Sequence, residues 1–172
     1  VDNITIAPIW GFYNVMDIPT ERPKIGDPIP PGAHWCFFLP HVPMRDIGPD
    51  GHPKRGDFMP DPKGLPRRMF AGSNLFFFKD LCIGDTVERQ QKIISITQKT
   101  GRTGKLLFVR VREEYSTNGE IALLQENDIV YREPIKKNEQ KLLKSKVSKN
   151  TPVWNRSIKT NPTMLFKYSA IT

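Results

Sequence analysis

Arg67 and Arg68 are adjacent cations that leave a proline-bounded loop ending in Leu65-Pro66 and enter a β-rich stretch. Paired guanidinium groups suit bidentate bonding to phosphate or carboxylate oxygens. The other use for such a pair is structural, as partners of a loop acid such as Asp57 or Asp61. Strand alternation turns adjacent side chains to opposite faces, so the two arginines should not share one role. His34, His41 and His52 form no HxxxH or HExxH pattern, and the sequence offers no metal site. His34 stands beside Trp35 in an apolar run and reads as a packed structural histidine, while His52 in Asp-Gly-His-Pro reads as a turn-former. Gly72 interrupts a β-rich stretch, which marks either close approach of a backbone or ligand, or a bulge. Phe70, Phe76, Phe77 and Phe78 around it read as core rather than as a ligand pocket.

Cys36 and Cys82 lie in the apolar settings Trp-Cys-Phe-Phe and Leu-Cys-Ile. Two cysteines build neither a disulfide scaffold nor a four-cysteine zinc site. They read as buried thiols in a reducing compartment, cytoplasmic or, in a eukaryote, mitochondrial. No apolar run approaches the ~20 residues of a membrane span. The start, Val-Asp-Asn-Ile-Thr-Ile, lacks the basic-then-apolar order of a signal peptide, and the missing initiator Met points to residues absent upstream.

The net charge of +8 invites a nucleic-acid reading, but its distribution does not support one. Residues 1–134 hold 17 Lys and Arg against 17 Asp and Glu; the other 9 basic residues and a single acid, Glu139, fall in 135–172. Lys136–Lys149 carries six lysines without an aromatic or a glycine. Grooves for single-stranded nucleic acid interleave aromatics with their cations. The segment reads as a solvated linker, with binding to an anionic surface or nucleic acid as the alternative.

Proline marks where regular structure must lie. Thirteen of the 16 prolines fall at or before Pro66, and none occurs from Arg67 to Glu133. Proline removes a ladder donor, so this Pro-free, β-branched window predicts a sheet. Four strands are expected, at about Arg68–Phe78, Thr86–Lys99, Lys105–Tyr115 and Glu120–Arg132. Ile94 and Ile96 should share one face of the second, and Leu107, Val109 and Val111 should oppose Arg110 and Arg112 in the third. The short turns Thr-Gly-Arg-Thr-Gly at 100–104 and Thr-Asn-Gly at 117–119 make neighbouring strands antiparallel. Ahead of the sheet, one short apolar helix is expected between Pro31 and Pro40, buried against it, with another around Tyr13–Ile18. Residues 41–66 read as a loop long enough to be either functional or a cover.

Five ordered segments resemble a known family: Gly48-Pro49-Asp50-Gly51-His52-Pro53-Lys54-Arg55-Gly56; Leu65-Pro66-Arg67-Arg68-Met69-Phe70-Ala71-Gly72; Lys99-Thr100-Gly101-Arg102-Thr103-Gly104; Asp128-Ile129-Val130-Tyr131-Arg132-Glu133; and Leu165-Phe166-Lys167-Tyr168-Ser169-Ala170-Ile171-Thr172. They are similar to type 2 hydroxyacyl-thioester dehydratases and mesaconyl-CoA hydratases, the MaoC-like members of the hot-dog superfamily. The resemblance implies an α+β hot-dog fold, an antiparallel sheet wrapped around a central helix. It implies a first hot-dog domain at 1–134, a basic linker at 135–152, and the start of a second, largely absent unit at 153–172. The implied activity is reversible addition of water to an enoyl thioester. The implied partners are an acyl-CoA thioester and either a second copy or the chain's own second unit. No metal, membrane or cofactor is implied beyond the coenzyme A of the substrate. The family's catalytic histidine string would follow Thr172, so no catalytic residue is expected within 1–172. Substrate contacts are expected from Arg67, Arg68, Gly72 and Trp35. An acyl-CoA-binding module without catalysis is the nearest alternative.

Overall fold

The computed structural model describes residues 1–48, 51–54, 58–101, 104–134 and 151–172. The elements are β1 (Asp2–Asn3), α1 (Ile6–Val15), a 3-10 helix (Ala33–Cys36), a second one (Met44–Asp46), β2 (Arg67–Phe77), β3 (Thr86–Gly101), β4 (Gly104–Thr117), β5 (Glu120–Arg132) and α2 (Pro162–Ile171). The strands form one antiparallel sheet in the order β1-β3-β4-β5-β2. All four long strands stand in the Pro-free window. The expected linker at 135–152 falls mostly on residues outside those described.

The turns explain the hairpins. Asn118 and Gly119 both hold positive φ, 53° and 77°, between the paired Thr117 and Glu120. That backbone matches the twist of a two-residue hairpin, and Asn-Gly tolerates it. Alternation then sorts β4: Val109, Val111, Glu113, Tyr115 and Thr117 are buried, and the residues between them are half-buried. On the opposite face, cross-strand neighbours pair their charges. Arg110 grips Asp128 with two bonds of 2.7 and 2.9 Å, and Arg112 Nη2 lies 2.7 Å from Glu126 Oε1. The bond from Arg110 holds the Asp128 carboxyl below the usual carboxylate range.

Two expectations within the strands are corrected. A bulge at Ile94 breaks the alternation: Ile93 opposes Val111, Ser95 opposes Arg110 and Ile96 opposes Val109. Ile93 and Ile96, not Ile94 and Ile96, therefore face the buried valines. The phenylalanines are not core either. β2 is an edge strand, and Phe70, Phe76, Phe77 and Phe78 are 66%, 47%, 51% and 64% exposed.

The helix expected between Pro31 and Pro40 is also corrected. Only Ala33–Cys36 turns, as a 3-10 helix. Gly32 enters it with φ +91°, Phe37 is already extended, and Phe38 holds φ +56° with its N–H bonded to Asp2 Oδ2 at 2.8 Å. The apolar run is tied to its surroundings residue by residue and cannot continue an i to i−4 ladder. The helix that covers the sheet is instead α1. Its Ile9 and Phe12 join Ala33, Cys36, Phe37, Val87, Tyr115, Ala122 and Leu123 in the main core cluster. α2 packs on α1 in turn, with Tyr168 and Ile171 against the same cluster and the Phe12 and Tyr168 rings 6.4 Å apart. A second, smaller cluster holds Leu65, Val109, Val111 and Tyr131. Of the two thiols, Cys36 is buried as expected, whereas Cys82 is only half-buried. Among the described residues, no helix is long and apolar enough to cross a membrane.

Candidate functional site

A row of polar side chains separates the two apolar clusters. Register places Gln91 opposite Glu113, and Glu113 opposite Gln125. Glu113 is 8% exposed and Gln125 5%. Buried polar atoms must find partners, and these do. Gln91 Nε2 donates to Glu113 Oε1, and the Tyr115 hydroxyl donates to Glu113 Oε2 at 2.7 Å. Gln125 Oε1 accepts from His34 Nε2 at 2.7 Å and from Trp35 Nε1 at 3.1 Å, while Gln125 Nε2 donates to Asn127 Oδ1 at 2.8 Å. Burial, then the charge and hydrogen bond of Glu113, push the Tyr115 phenol well above its ordinary value, with Arg89 opposing. The Arg89 guanidinium also lies 4.8 Å from the Phe38 ring centre.

Two cavities meet along this row. One, of about 300 Å³, has walls from Phe58, Met59, Met69 and Phe70, with Gln91, Glu113 and Asn127 among its polar lining and Arg68 beside them. The other, of about 540 Å³, is lined by Trp35, Phe38, Arg89, Tyr115, Tyr168 and Thr172, among others. Both are lined by His52, Phe70 and Glu113, so they are lobes of one groove. Small-molecule sites span roughly 300–1,000 Å³. A larger opening of about 680 Å³ lies between the end of α1 and residues 156–167. There Arg156 caps α1 by donating to Met16 O and Asp17 O. None of the residues lining it lines either lobe of the groove.

The structure brings together some of the residues that the sequence singled out. Arg68 lines the smaller lobe, Trp35 the larger, and His52 both. Arg67 and Gly72 line neither. Arg67 stands opposite Arg132 at the start of β2, and Gly72 follows a bulge at Ala71. A Cβ built on Gly72 meets nothing within 4 Å. His34 packs against Trp35 and Tyr115, with ring centres 5.2 and 5.3 Å away. Among the described residues, no three His, Cys, Asp or Glu side chains cluster to hold a metal ion. The sequence reading missed Gln91, Glu113, Gln125, Asn127 and Tyr168. The signal was present for Glu113, since the alternation of Leu107, Val109 and Val111 carried two residues further puts a carboxylate on the buried face.

His34 carries a pH dependence. Burial lowers its pKa below the ordinary histidine value, against the opposing pull of Gln125 and of the Glu113 charge. The folded chain therefore binds fewer protons at His34 than the unfolded chain does. Stability should be fully present above about pH 6.5 and fall as pH drops from there toward the lowered folded value. Urea midpoints at about pH 7.5 and about pH 5.5 should diverge more for the native chain than for His34→Gln. Equal divergence would remove His34 as the source.

Residues 32–172 match the family described as hydroxyacyl-thioester dehydratase type 2. The chain belongs to this family. Within the curated proteins it is 37% identical to a mesaconyl-C(4)-CoA hydratase of Chloroflexus aurantiacus, over 99% of this chain. It spans 60% of that relative's length. The fold of this dehydratase-family chain is similar to a solved ChsH1-ChsH2 complex from Mycobacterium tuberculosis, at TM-score 0.55 and 12% identity, covering 77% of this chain and 84% of that one. HtdX of the same organism gives TM-score 0.50 and 12% identity, covering 98% and 60%. Together with the curled antiparallel sheet, these likenesses give the dehydratase-family chain the hot-dog fold.

Proposed function

We propose that this chain is the first hot-dog unit of an acyl-CoA hydratase or dehydratase, and that its two-lobed groove receives part of the acyl thioester. The observation that carries this reading is the groove itself. It is large, lined by aromatic and apolar side chains, and has a few convergent polar groups, in a chain of a thioester-dehydratase family. Hydration of an enoyl thioester needs an acid and a base within hydrogen-bond reach of water at the Cα–Cβ bond. It also needs donors for the thioester oxygen as that atom gains charge. The reading assigns those groups to a second hot-dog unit that starts at about residue 153. Residues 1–134, together with Tyr168 of α2, then hold and orient the substrate: Arg68 toward its anionic part, and Trp35, Phe70 and Tyr168 along its apolar part. Coenzyme A enters as part of the substrate and no separate cofactor is invoked.

The β2 edge supports a partner for the same unit. It is an edge strand of the sheet with Phe70, Phe76 and Phe77 exposed on it and Phe78 exposed just past its end, and such an edge is a template for pairing. The partner in this reading is a second hot-dog unit, of the same chain or of another copy.

The test uses two proteins, residues 1–172 and the full-length product of the same gene. The full-length protein should hydrate crotonyl-CoA or mesaconyl-CoA, and 1–172 should not. Turnover by 1–172 would show that the acid and base lie within it. Absence of turnover by the full-length protein, with acyl-CoA bound, would favour a binding module.

A further inference from the structure

We propose that Glu113 sets the acyl specificity of the groove, by shutting out long unbranched aliphatic acyl chains. This rests on the reading of the groove as the acyl-thioester site.

Glu113 stands where the two lobes meet and lines both. Its partners are neutral: the amide of Gln91 and the hydroxyl of Tyr115. Among the described residues, no ion pair within 4 Å involves it. Two donors fill only part of what two carboxylate oxygens accept. The remaining lone pairs need water or a donor on a ligand, because a buried charge tolerates little further desolvation. The surroundings are otherwise suited to hydrocarbon. Val111, Ile129, Met59, Met69, Phe58 and Phe70 line the smaller lobe. An aliphatic chain confined to one lobe gains from these contacts. A chain long enough to run from one lobe into the other must lay methylenes across Glu113 and displace its remaining water. Each buried methylene is worth roughly fourfold in affinity, so the carboxylate need only cancel a few of them to set a length limit. Gln91 on β3 and Asn127 on β5 line the smaller lobe beside Glu113 and widen the polar strip on its floor.

A purely structural Glu113 would hold Tyr115 and Gln91 in place and have no bearing on chain length. The experiment therefore reads length dependence. Dissociation constants of butyryl-CoA, hexanoyl-CoA and octanoyl-CoA, saturated thioesters that cannot be hydrated, are measured against coenzyme A itself on the full-length protein. They are repeated with Glu113→Gln, which keeps a side chain able to bond Tyr115 and Gln91, and with Glu113→Leu, with melting temperatures for all three proteins. The native protein should bind butyryl-CoA more tightly than coenzyme A and gain nothing from octanoyl-CoA. Glu113→Leu should bind octanoyl-CoA tenfold or more tighter than the native protein does, with butyryl-CoA unchanged. Glu113→Gln should move the same way by less, and keeps the test alive if the leucine variant fails to fold. Affinity that climbs steadily with length in the native protein, or length dependence unchanged in the folded variants, would overturn the role of Glu113 and leave the groove reading standing. If no acyl-CoA binds better than coenzyme A, the groove does not take the acyl group and both readings fall.

Discussion

Ile9→Ala is expected to lower the unfolding free energy by about 2–5 kcal/mol, the range for truncating a buried isoleucine. Ile9 has 0% exposure and sits in the cluster shared by α1, the Ala33–Cys36 turn and the sheet. Removing three carbons there leaves a hole between a helix and a sheet, two rigid surfaces that cannot collapse freely. Urea unfolding measures the change directly, and for a chain of this length each kcal/mol shifts the melting temperature by roughly 2–4 °C. A loss under about 1 kcal/mol would mean that α1 does not cover the sheet, because only surface positions are that tolerant.

Arg68→Ala is expected to weaken acyl-CoA binding by about 1.5–3 kcal/mol, or roughly ten- to hundredfold, the worth of a charge-assisted contact. Arg67→Ala should leave affinity unchanged. The two differ because β2 turns them to opposite faces, and only Arg68 reaches the smaller lobe. Both variants are made in the full-length protein and titrated with butyryl-CoA, with melting temperatures alongside. If both bind normally, the arginine pair has no part in the site. If Arg67→Ala is the weaker binder, the face that meets the ligand is the other one.

The strands were legible because their signals are local. Proline exclusion brackets the sheet, Asn118-Gly119 specifies its own turn, and alternation sorts β4 without reference to any neighbour. The apolar segment at 31–40 misled because composition fixes burial but not hydrogen bonding. Gly32 and Phe38, both at positive φ, close the turn from either side. The phenylalanines of β2 misled for a different reason. Whether a strand is central or an edge depends on pairing order, and β2 pairs directly with β5 although β3 and β4 lie between them in the sequence. The groove was the least legible part, since its polar row is assembled one residue per strand. Gln91, Glu113 and Gln125 share no motif and become neighbours only through register.

The pairing order also fixes a sequence of events. β3, β4 and β5 follow one another with only two residues between each pair, so their ladders close short loops and form at small entropic cost. β2 precedes them in the chain, yet its partner is the last of the three, with Phe77 meeting Leu123 and Arg67 meeting Arg132. Its docking closes a much longer loop and belongs late in folding. The floor of the groove is thus laid down early, and the wall of Arg68, Met69 and Phe70 arrives last. A ligand bridging floor and wall holds contacts that the folding transition state lacks. It therefore slows unfolding without speeding folding, and the occupied protein outlives the empty one by resisting the loss of a single strand.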